Sequence, residues 1–283
     1  MKIKQNKKHL LVLGMLLVGV LVLSGCARAG GMEPITADST GFWDRLLYML
    51  SQIIIWLSGV FGNSYGMGII VFTILARLLL TPLYHLQMKN TEKMQKMQPE
   101  LWALQEKYAS RDAETQQKLQ EETAKLQEKY DTNQFAGCLP LLIQLPILTA
   151  LYQAISRTEA LTNGHFLWME LGKPDPYFIL PIIAAVSIWY STHLSQIASG
   201  IKSGSMTAMQ YVMPVFIFFV MMNLPSALAL YMATANVFTI GQTLLINNPY
   251  QKQRVRHEEE AKERDLERRL EKARRNPRGK KRK

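Results

Sequence analysis

The sequence predicts an all-α membrane protein of five transmembrane helices with a helical hairpin on the cytoplasmic side. Three observations carry that prediction. The apolar residues come in blocks, over 65–83, 135–156, 177–198, 207–222 and 225–246, and the charges fall between or after them. That is the pattern of bilayer-spanning segments rather than of a soluble core. Lys and Arg are concentrated in two places, eight in 84–134 and fifteen from Asn247 onward, and basic residues gather on the cytoplasmic side. Between the first two blocks, Met94, Met97, Leu101, Leu104 and Tyr108 recur at three- and four-residue steps. Leu119, Leu126 and Tyr130 follow more sparsely after a Ser110-Arg111-Asp112 turn, so two helices are expected there. The average composition, 48% hydrophobic with a net charge of +11, would fit a soluble protein as well. The distribution decides.

The chain begins with Lys2, Lys4, Lys7 and Lys8 ahead of an apolar run over 10–23 that ends Leu23-Ser24-Gly25-Cys26. A basic start, a short hydrophobic core and small residues at the exit are the layout of a secretory signal peptide. The Leu-Ser-Gly-Cys ending resembles a bacterial lipobox. That resemblance implies removal of residues 1–25 and a diacylglycerol- and palmitate-bearing Cys26 outside the cytoplasm; the alternative is an uncleaved anchor helix with an incidental cysteine. Cys26 and Cys138 have no paired spacing, which speaks against a disulfide framework or a zinc site. Over 41–57, Phe42, Leu46, Met49, Leu50, Ile53 and Leu57 keep near-helical spacing, and Trp43 and Trp56 suit a membrane interface. This helix is expected to lie on the outer membrane surface, to pack against the spans, or both.

The expected organisation is therefore a signal peptide over 1–25 and an extracytoplasmic segment over 26–60. Spans follow over 61–83, 135–157, 177–198, 207–222 and 225–246. A cytoplasmic hairpin occupies 84–134, an outer loop 158–176, a short inner loop 199–206 and a basic cytoplasmic tail 247–283. The outer loop holds one Lys or Arg, Lys173, with Arg157 at its edge, in line with that direction. Pro99 is expected to kink or start a helix of the hairpin. Met88, Met94 and Met97 form either the hairpin's own seam or an adaptable surface for varied partners. The tail over 250–283 has almost no core-forming residues. It reads as a solvated helix that frays, and it either binds ribosomal RNA or anionic lipid or only fixes topology.

The residue that sets the question is Arg77. It sits roughly 18 Å along a helix from Tyr65, at a depth where a charge costs at least about 2.5 kcal/mol and usually lines a cavity. None of the five apolar blocks contains Asp or Glu, so Arg77 has no carboxylate of its own. Thr73, Arg77 and Thr81 fall at i, i+4 and i+8, one face of a helix. Ser187, Ser191 and Ser195 repeat that spacing in the third span, with Thr192 beside them. Asn236, Thr239 and Thr243 line the fifth, with Gln242 adjacent, and Gln144 and Gln153 lie in the second. Each stripe alone fits interhelical hydrogen bonding; four of them around one unpaired arginine fit a shared hydrophilic groove.

Enzymatic chemistry has little to stand on. His85, His165, His193 and His257 are scattered without metal-ligand spacing. There is no phosphate-cradling glycine loop, and no cofactor, metal or DNA partner is expected.

Several stretches together resemble the YidC membrane protein insertases, specifically the five-span lipoprotein type of Gram-positive bacteria, relatives of the mitochondrial Oxa and chloroplast Albino insertases. They are Glu33-Pro-Ile-Thr-Ala-Asp38, the arginine-bearing first span, Ala136-Gly-Cys-Leu-Pro-Leu-Leu-Ile-Gln-Leu-Pro-Ile147, His165-Phe-Leu-Trp168, and Ala227-Leu-Ala-Leu-Tyr231 with Asn236. The resemblance implies five helices around a hydrophilic groove open to cytoplasm and lipid and closed on the outer side, with Arg77 as the groove arginine. It also implies a protein that inserts and helps fold nascent membrane proteins. The Sec translocon, membrane lipids and, through the 250–283 tail, a ribosome are expected partners. Two positions depart from the family: Ser191-Thr192 stand where relatives have a Gln-Gln pair, and Met232 where they often have Trp. A small-anion transporter and a passive assembly chaperone for membrane complexes are the competing readings; the transporter would usually carry a pseudo-symmetric repeat.

Overall fold

The computed structural model describes residues 34–39, 41–110, 112–132, 139–200, 204–246 and 248–275. The expected signal peptide, Cys26, Cys138 and the end of the basic tail lie outside the described residues. The chain is mostly helical over the described residues. Its elements are α1 (Phe42–Val60), α2 (Tyr65–Leu79), α3 (Thr81–Lys107), α4 (Ala113–Lys129), α5 (Leu139–Ser156), the single turn α6 (Glu159–Thr162), β1 (His165–Phe166), β2 (Met169–Glu170), α7 (Ile179–Ser199), α8 (Gly204–Met221), α9 (Ser226–Ile246) and α10 (Pro249–Arg275).

The helix α9 is the hub. Its first turns, Ser226 to Tyr231, are buried without a break, and it packs against α7, α2 and α5. Ala227, Ala229, Ala233 and Ala235 are buried on it, and small residues let neighbouring backbones approach closely. Among the described residues α9 alone is by itself long and apolar enough to cross a membrane. The helix α7 is equally long at 21 residues, but Ser187, Ser191, Thr192, Ser195 and Gln196 dilute its apolarity. Outward, α7 and α8 expose Ile179, Ile182, Val186, Val212, Phe216 and Phe219. A contiguous apolar surface of this kind needs a non-aqueous partner.

The amphipathic helix α1 uses both of its expected faces. Leu47, Ser51, Ile54, Leu57 and Ser58 are buried while Phe42, Met49, Ile53 and Trp56 are exposed. On the buried side Trp43 Nε1 donates to Gln153 Oε1 at 3.0 Å, and Arg157 pairs with Asp44 at 2.6 Å, so α1 is tied to the end of α5. The turn to α2 passes through Gly62 and Asn63, both at positive φ, and the two helices are bent by 115°.

The 65–83 block is expected to be one continuous helix. The structure ends α2 at Leu79 and starts α3 at Thr81 instead, with Pro82 in the first turn of the new helix. Proline has no N–H to donate and is tolerated where the donor would be an orphan, so a helix boundary falls there. Pro99, expected to start or kink a helix, sits inside α3.

α3 and α4 run antiparallel, with Met97 and Leu126 buried between them. Thr132 donates to the Met97 sulfur at 3.5 Å, so Met97 belongs to the seam, while Met88 lines a cavity described below. The pair is fastened by Lys93–Asp131 and Lys129–Glu100 ion pairs, each 2.7 Å. Asp112 caps α4 through the Thr115 N–H at 2.8 Å. The carboxyls of Asp112 (hydrogen bonds from Ser110 and Thr115), Glu100 (from Lys129, then Tyr130) and Asp131 (from Lys93) are all held below their ordinary values. A depressed folded pKa stabilises above the unfolded value, about 4, and that contribution fades as pH falls through the folded value. Amide-exchange protection of α3 and α4, corrected for intrinsic rate, is therefore expected to drop progressively as pH falls below about 4, toward the lowered folded values. Protection that is flat across this range would contradict the assignment.

At the other end, residues 158–176 form a cap. β1 pairs with β2 antiparallel, His165 opposite Glu170, and Leu161, Met169 and Leu171 are buried beneath. Phe166 packs where a side chain on Gly66 of α2 would stand, since a Cβ there would lie 2.0 Å from its ring. Buried Asp175 accepts from Trp168 Nε1, Tyr177 N and Leu180 N at 3.0, 3.1 and 2.8 Å, fixing the entry to α7. Ser226 N and Ala227 N donate to the carbonyls of Lys173 and Leu171. The first turn of α9 thus finds partners in the cap, which closes this end of the bundle.

Candidate functional site

Ending α2 at Leu79 puts Arg77 in its last turn, where a cation is favoured by the negative end of the helix dipole. That offsets part of the cost of burying it. The Thr81 hydroxyl donates to the Arg77 carbonyl at 3.0 Å, filling one of the acceptors a helix end leaves open.

Arg77 is half-buried. Its Nη2 donates to Gln144 Oε1 of α5 at 3.4 Å, and Gln144 Nε2 donates in turn to the Tyr231 hydroxyl of α9 at 3.0 Å. The partner of Arg77 is thus a neutral amide whose orientation is set by a tyrosine. At 3.4 Å the bond is longer than the usual 2.9–3.0 Å, whereas a carboxylate would make a shorter, charge-assisted one. Among the described residues no carboxylate pairs with Arg77, and α2, α5, α7, α8 and α9 contain none.

Arg77, Thr73 and Tyr231 border a cavity of about 350 Å³ between α1, α2, α5 and α9. The rest of its wall is apolar, including Trp43, Leu46, Phe72, Pro146 and Leu151. Hydroxyls of the polar stripes, in this wall and away from it, bond their own helices. Thr73 donates to Ile69 O at 2.6 Å, Thr192 to Ile188 O at 2.8 Å and Thr239 to Ala235 O at 2.8 Å. Such back-bonding satisfies a hydroxyl inside a helix without a second helix.

The structure thus brings together Arg77, Thr73, Thr81 and Gln144. Ser187, Ser191, Thr192, Asn236 and Thr239 are not among the residues lining this cavity. Ser187 is buried on α7 and the Asn236 amide nitrogen is buried with no partner. Tyr231 and Gln242 belong to the network, the latter donating to Thr81 Oγ1 at 3.1 Å. Polar-stripe counting passes over Tyr231 because a tyrosine in an apolar helix reads as core. Among the described residues no cluster of His, Cys, Asp and Glu is arranged to hold a metal.

Comparison with known proteins adds the family. A family model described as "60Kd inner membrane protein" matches residues 56–254. A relative named membrane protein insertase YidC 2 from Lactiplantibacillus plantarum is 52% identical over 260 residues, covering 92% of this chain and 91% of the relative. Another of that name from Listeria innocua serovar 6a is 48% identical over 256 residues, 90% and 88% of the two chains. The insertase YidC of Enterococcus faecalis is 46% identical over 271 residues, 95% and 96%. A crystal structure of an active YidC insertase with its first transmembrane domain resolved matches 72% of this chain at a TM-score of 0.56 and 30% identity. This chain spans 47% of that longer one. With a family match over most of its length and relatives near half-identical end to end, the chain is a membrane protein belonging to the 60Kd inner membrane protein family, that of the YidC insertases.

Proposed function

We propose that this protein inserts nascent integral membrane proteins into the bilayer and helps them fold, with Arg77 as the transient partner of an acidic hydrophilic tail of the substrate. The observation that carries the role of Arg77 is its partner: a neutral amide at 3.4 Å, with no carboxylate in the helices around it. Gln144 holds the guanidinium in place and yields it to a carboxylate, because an ion pair in a poorly solvated site outweighs a long neutral hydrogen bond.

In this account five spans, 61–83, 135–157, 177–198, 207–222 and 225–246, enclose a groove that opens to the cytoplasm and to lipid. The 84–134 hairpin and the 247–283 tail are cytoplasmic, and residues 26–60 and the 158–176 loop lie outside. The break at Leu80 marks the cytoplasmic end of the first span. Ser187, Ser191, Thr192, Asn236 and Thr239 form the polar side of the path on α7 and α9. The substrate's apolar segment leaves sideways along the exposed apolar faces of α7 and α8, while its tail is released outward. A membrane potential positive outside favours that release by about 2.3 kcal/mol per negative charge per 100 mV. No covalent bond changes. Cys26 anchors the mature N-terminus through lipid, the Sec translocon is a partner, and the basic tail contacts the ribosome.

The test is insertion of one-span substrates with acidic or neutral tails into vesicles carrying Arg77→Ala or Arg77→Lys protein. Acidic-tail insertion is expected to fall about tenfold or more with Ala, the loss of roughly 1.4 kcal/mol or more of ion-pair stabilisation, and to be partly kept with Lys, which supplies charge without the guanidinium fork. Normal acidic-tail insertion with Ala would overturn the role of Arg77.

A further inference from the structure

Beyond Arg77 lie two adjoining spaces that the groove account does not use. The inner one, about 220 Å³, is lined by Thr81, Gln242, His85, Met88 and Lys89 among others. Its upper end is the Gln242–Thr81 hydrogen bond, four residues past Arg77 and just across the helix break. The outer one, about 670 Å³, lies between α3, α10 and the end of α7, with Lys96 and Arg256 in its wall. Three residues line both spaces: Glu92, Lys252 and Ile246. Glu92 of α3 and Lys252 of α10 are ion-paired across the boundary.

This boundary is a built arrangement. Arg256, one turn beyond Lys252 on α10, donates to the carbonyls of Ala198 and Ile197 at 2.6 and 3.3 Å. It thereby caps the C-terminal end of α7, where a cation is favoured. Gly200 ends α7 at φ +69°, and a Cβ there would fall 1.2 Å from the Arg256 guanidinium. On the opposite side Gln95 Nε2 donates to Ser195 Oγ at 3.4 Å, holding α3 against α7. The basic tail is therefore docked by its first turns, and Lys252 is fixed where it is. Burial, followed by repulsion from Arg256, pushes its ammonium below the ordinary lysine range. A cation in that position gains from a carboxylate partner, and Glu92 is the one the protein supplies.

We propose that the Glu92–Lys252 pair is a carboxylate-exchange gate: a second binding site, between the two spaces, at which Lys252 with Lys89 takes the acidic side chains of an incoming peptide tail from Glu92 and passes them toward Thr81 and Arg77. The inference rests on the insertase reading above and adds an entry step to it. Glu92 acts as a resident stand-in for the substrate carboxylate, which keeps the mouth closed to neutral peptide and exchanges with an acidic one at little net cost. The short path from this pair past Met88 to Thr81, about 16 Å along α3, is within reach of a tail of five or six extended residues.

The experiment places a photo-crosslinking residue at position 88 of the full-length protein in membrane vesicles. It presents stalled nascent chains whose tails carry Asp and Glu, or Asn and Gln in their place. The acidic tail is expected to crosslink at 88 more than the neutral one. The ratio should fall about threefold with Lys252→Gln, the scale of a partly solvated ion pair, rise with Glu92→Gln, and shrink as salt screens the charges. Equal crosslinking of the two tails, or a Glu92→Gln protein that captures the acidic tail less well, would overturn the gate; the second result would mean that Glu92 is only a brace for α10. Arg77→Ala, run in parallel, is expected to leave the crosslink at 88 and to lower insertion of the acidic tail about tenfold or more. If Arg77→Ala inserts the acidic tail normally, the groove reading fails, and the crosslink ratio at 88 still decides the gate.

Discussion

Gln144→Glu is expected to reduce insertion of acidic-tailed substrates about tenfold or more, as much as Arg77→Ala does and the equivalent of roughly 1.4 kcal/mol or more, and more than Gln144→Ala does. The substitution changes one atom type but puts a carboxylate where the neutral oxygen accepts from Arg77 at 3.4 Å. Two unit charges at about 4 Å attract by roughly 4 kcal/mol at an effective dielectric of 20, and an internal partner has no entropy of association to overcome. The substrate's carboxylate would have to displace it. Gln144→Ala instead leaves Arg77 free of a partner but loosely oriented, and it removes the bond that Tyr231 makes to the amide; a loss of a fewfold follows, shared by Tyr231→Phe. If Gln144→Glu inserts acidic tails normally, Arg77 is not the group they meet.

The second large effect is expected at Gly68. α1 crosses α2 there so closely that a Cβ would lie 2.1 Å from Ser58 Oγ and 2.7 Å from the Ile54 carbonyl oxygen. The serine hydroxyl, which donates to Ile54 O at 2.7 Å, is a side chain and can rotate; the carbonyl belongs to the α1 backbone and cannot. Gly68→Ala must push α1 away from α2, and overpacking of this kind costs about 1–3 kcal/mol. Because Trp43 and Leu46 of α1 wall the Arg77 cavity, insertion should fall for acidic and neutral tails alike, together with the thermal midpoint of the purified protein. Adding Ser58→Gly is expected to recover only part of the loss, since the backbone contact persists. A Gly68→Ala protein with the parent midpoint would show that the crossing is not tight.

These two sites differ in how far the sequence could reveal them. Arg77 is conspicuous because it is a charge in an apolar block, and the i, i+4, i+8 series Thr73, Arg77, Thr81 is a local pattern. What locality hides is the partner. Gln144 and Arg77 are 67 residues apart, and Glu92 and Lys252 are 160 apart, so nothing in spacing pairs them. The hydrophobicity of 65–83 also outweighed the signal in Thr81-Pro82, a helix start with proline in its first turn. That break is what brings Arg77 to a helix C-terminus. Likewise the hydroxyls of Thr73, Thr192 and Thr239 read as groove lining by spacing, yet each bonds a carbonyl of its own helix, a choice that periodicity does not encode. The cap over 158–176 was legible only as a loop. Part of its order comes from a buried carboxylate, Asp175, with three donors around it.

The central claim is that Arg77 reads the charge of the substrate's tail. The direct measurement is the insertion rate of one-span substrates that differ only in tail charge, from three acidic residues through neutral to three basic ones, compared between the parent protein and Arg77→Ala at one membrane potential. The account predicts a rate that rises with negative charge in the parent protein and a much shallower dependence, the part owed to the potential alone, in Arg77→Ala. The same slope in both proteins would contradict it.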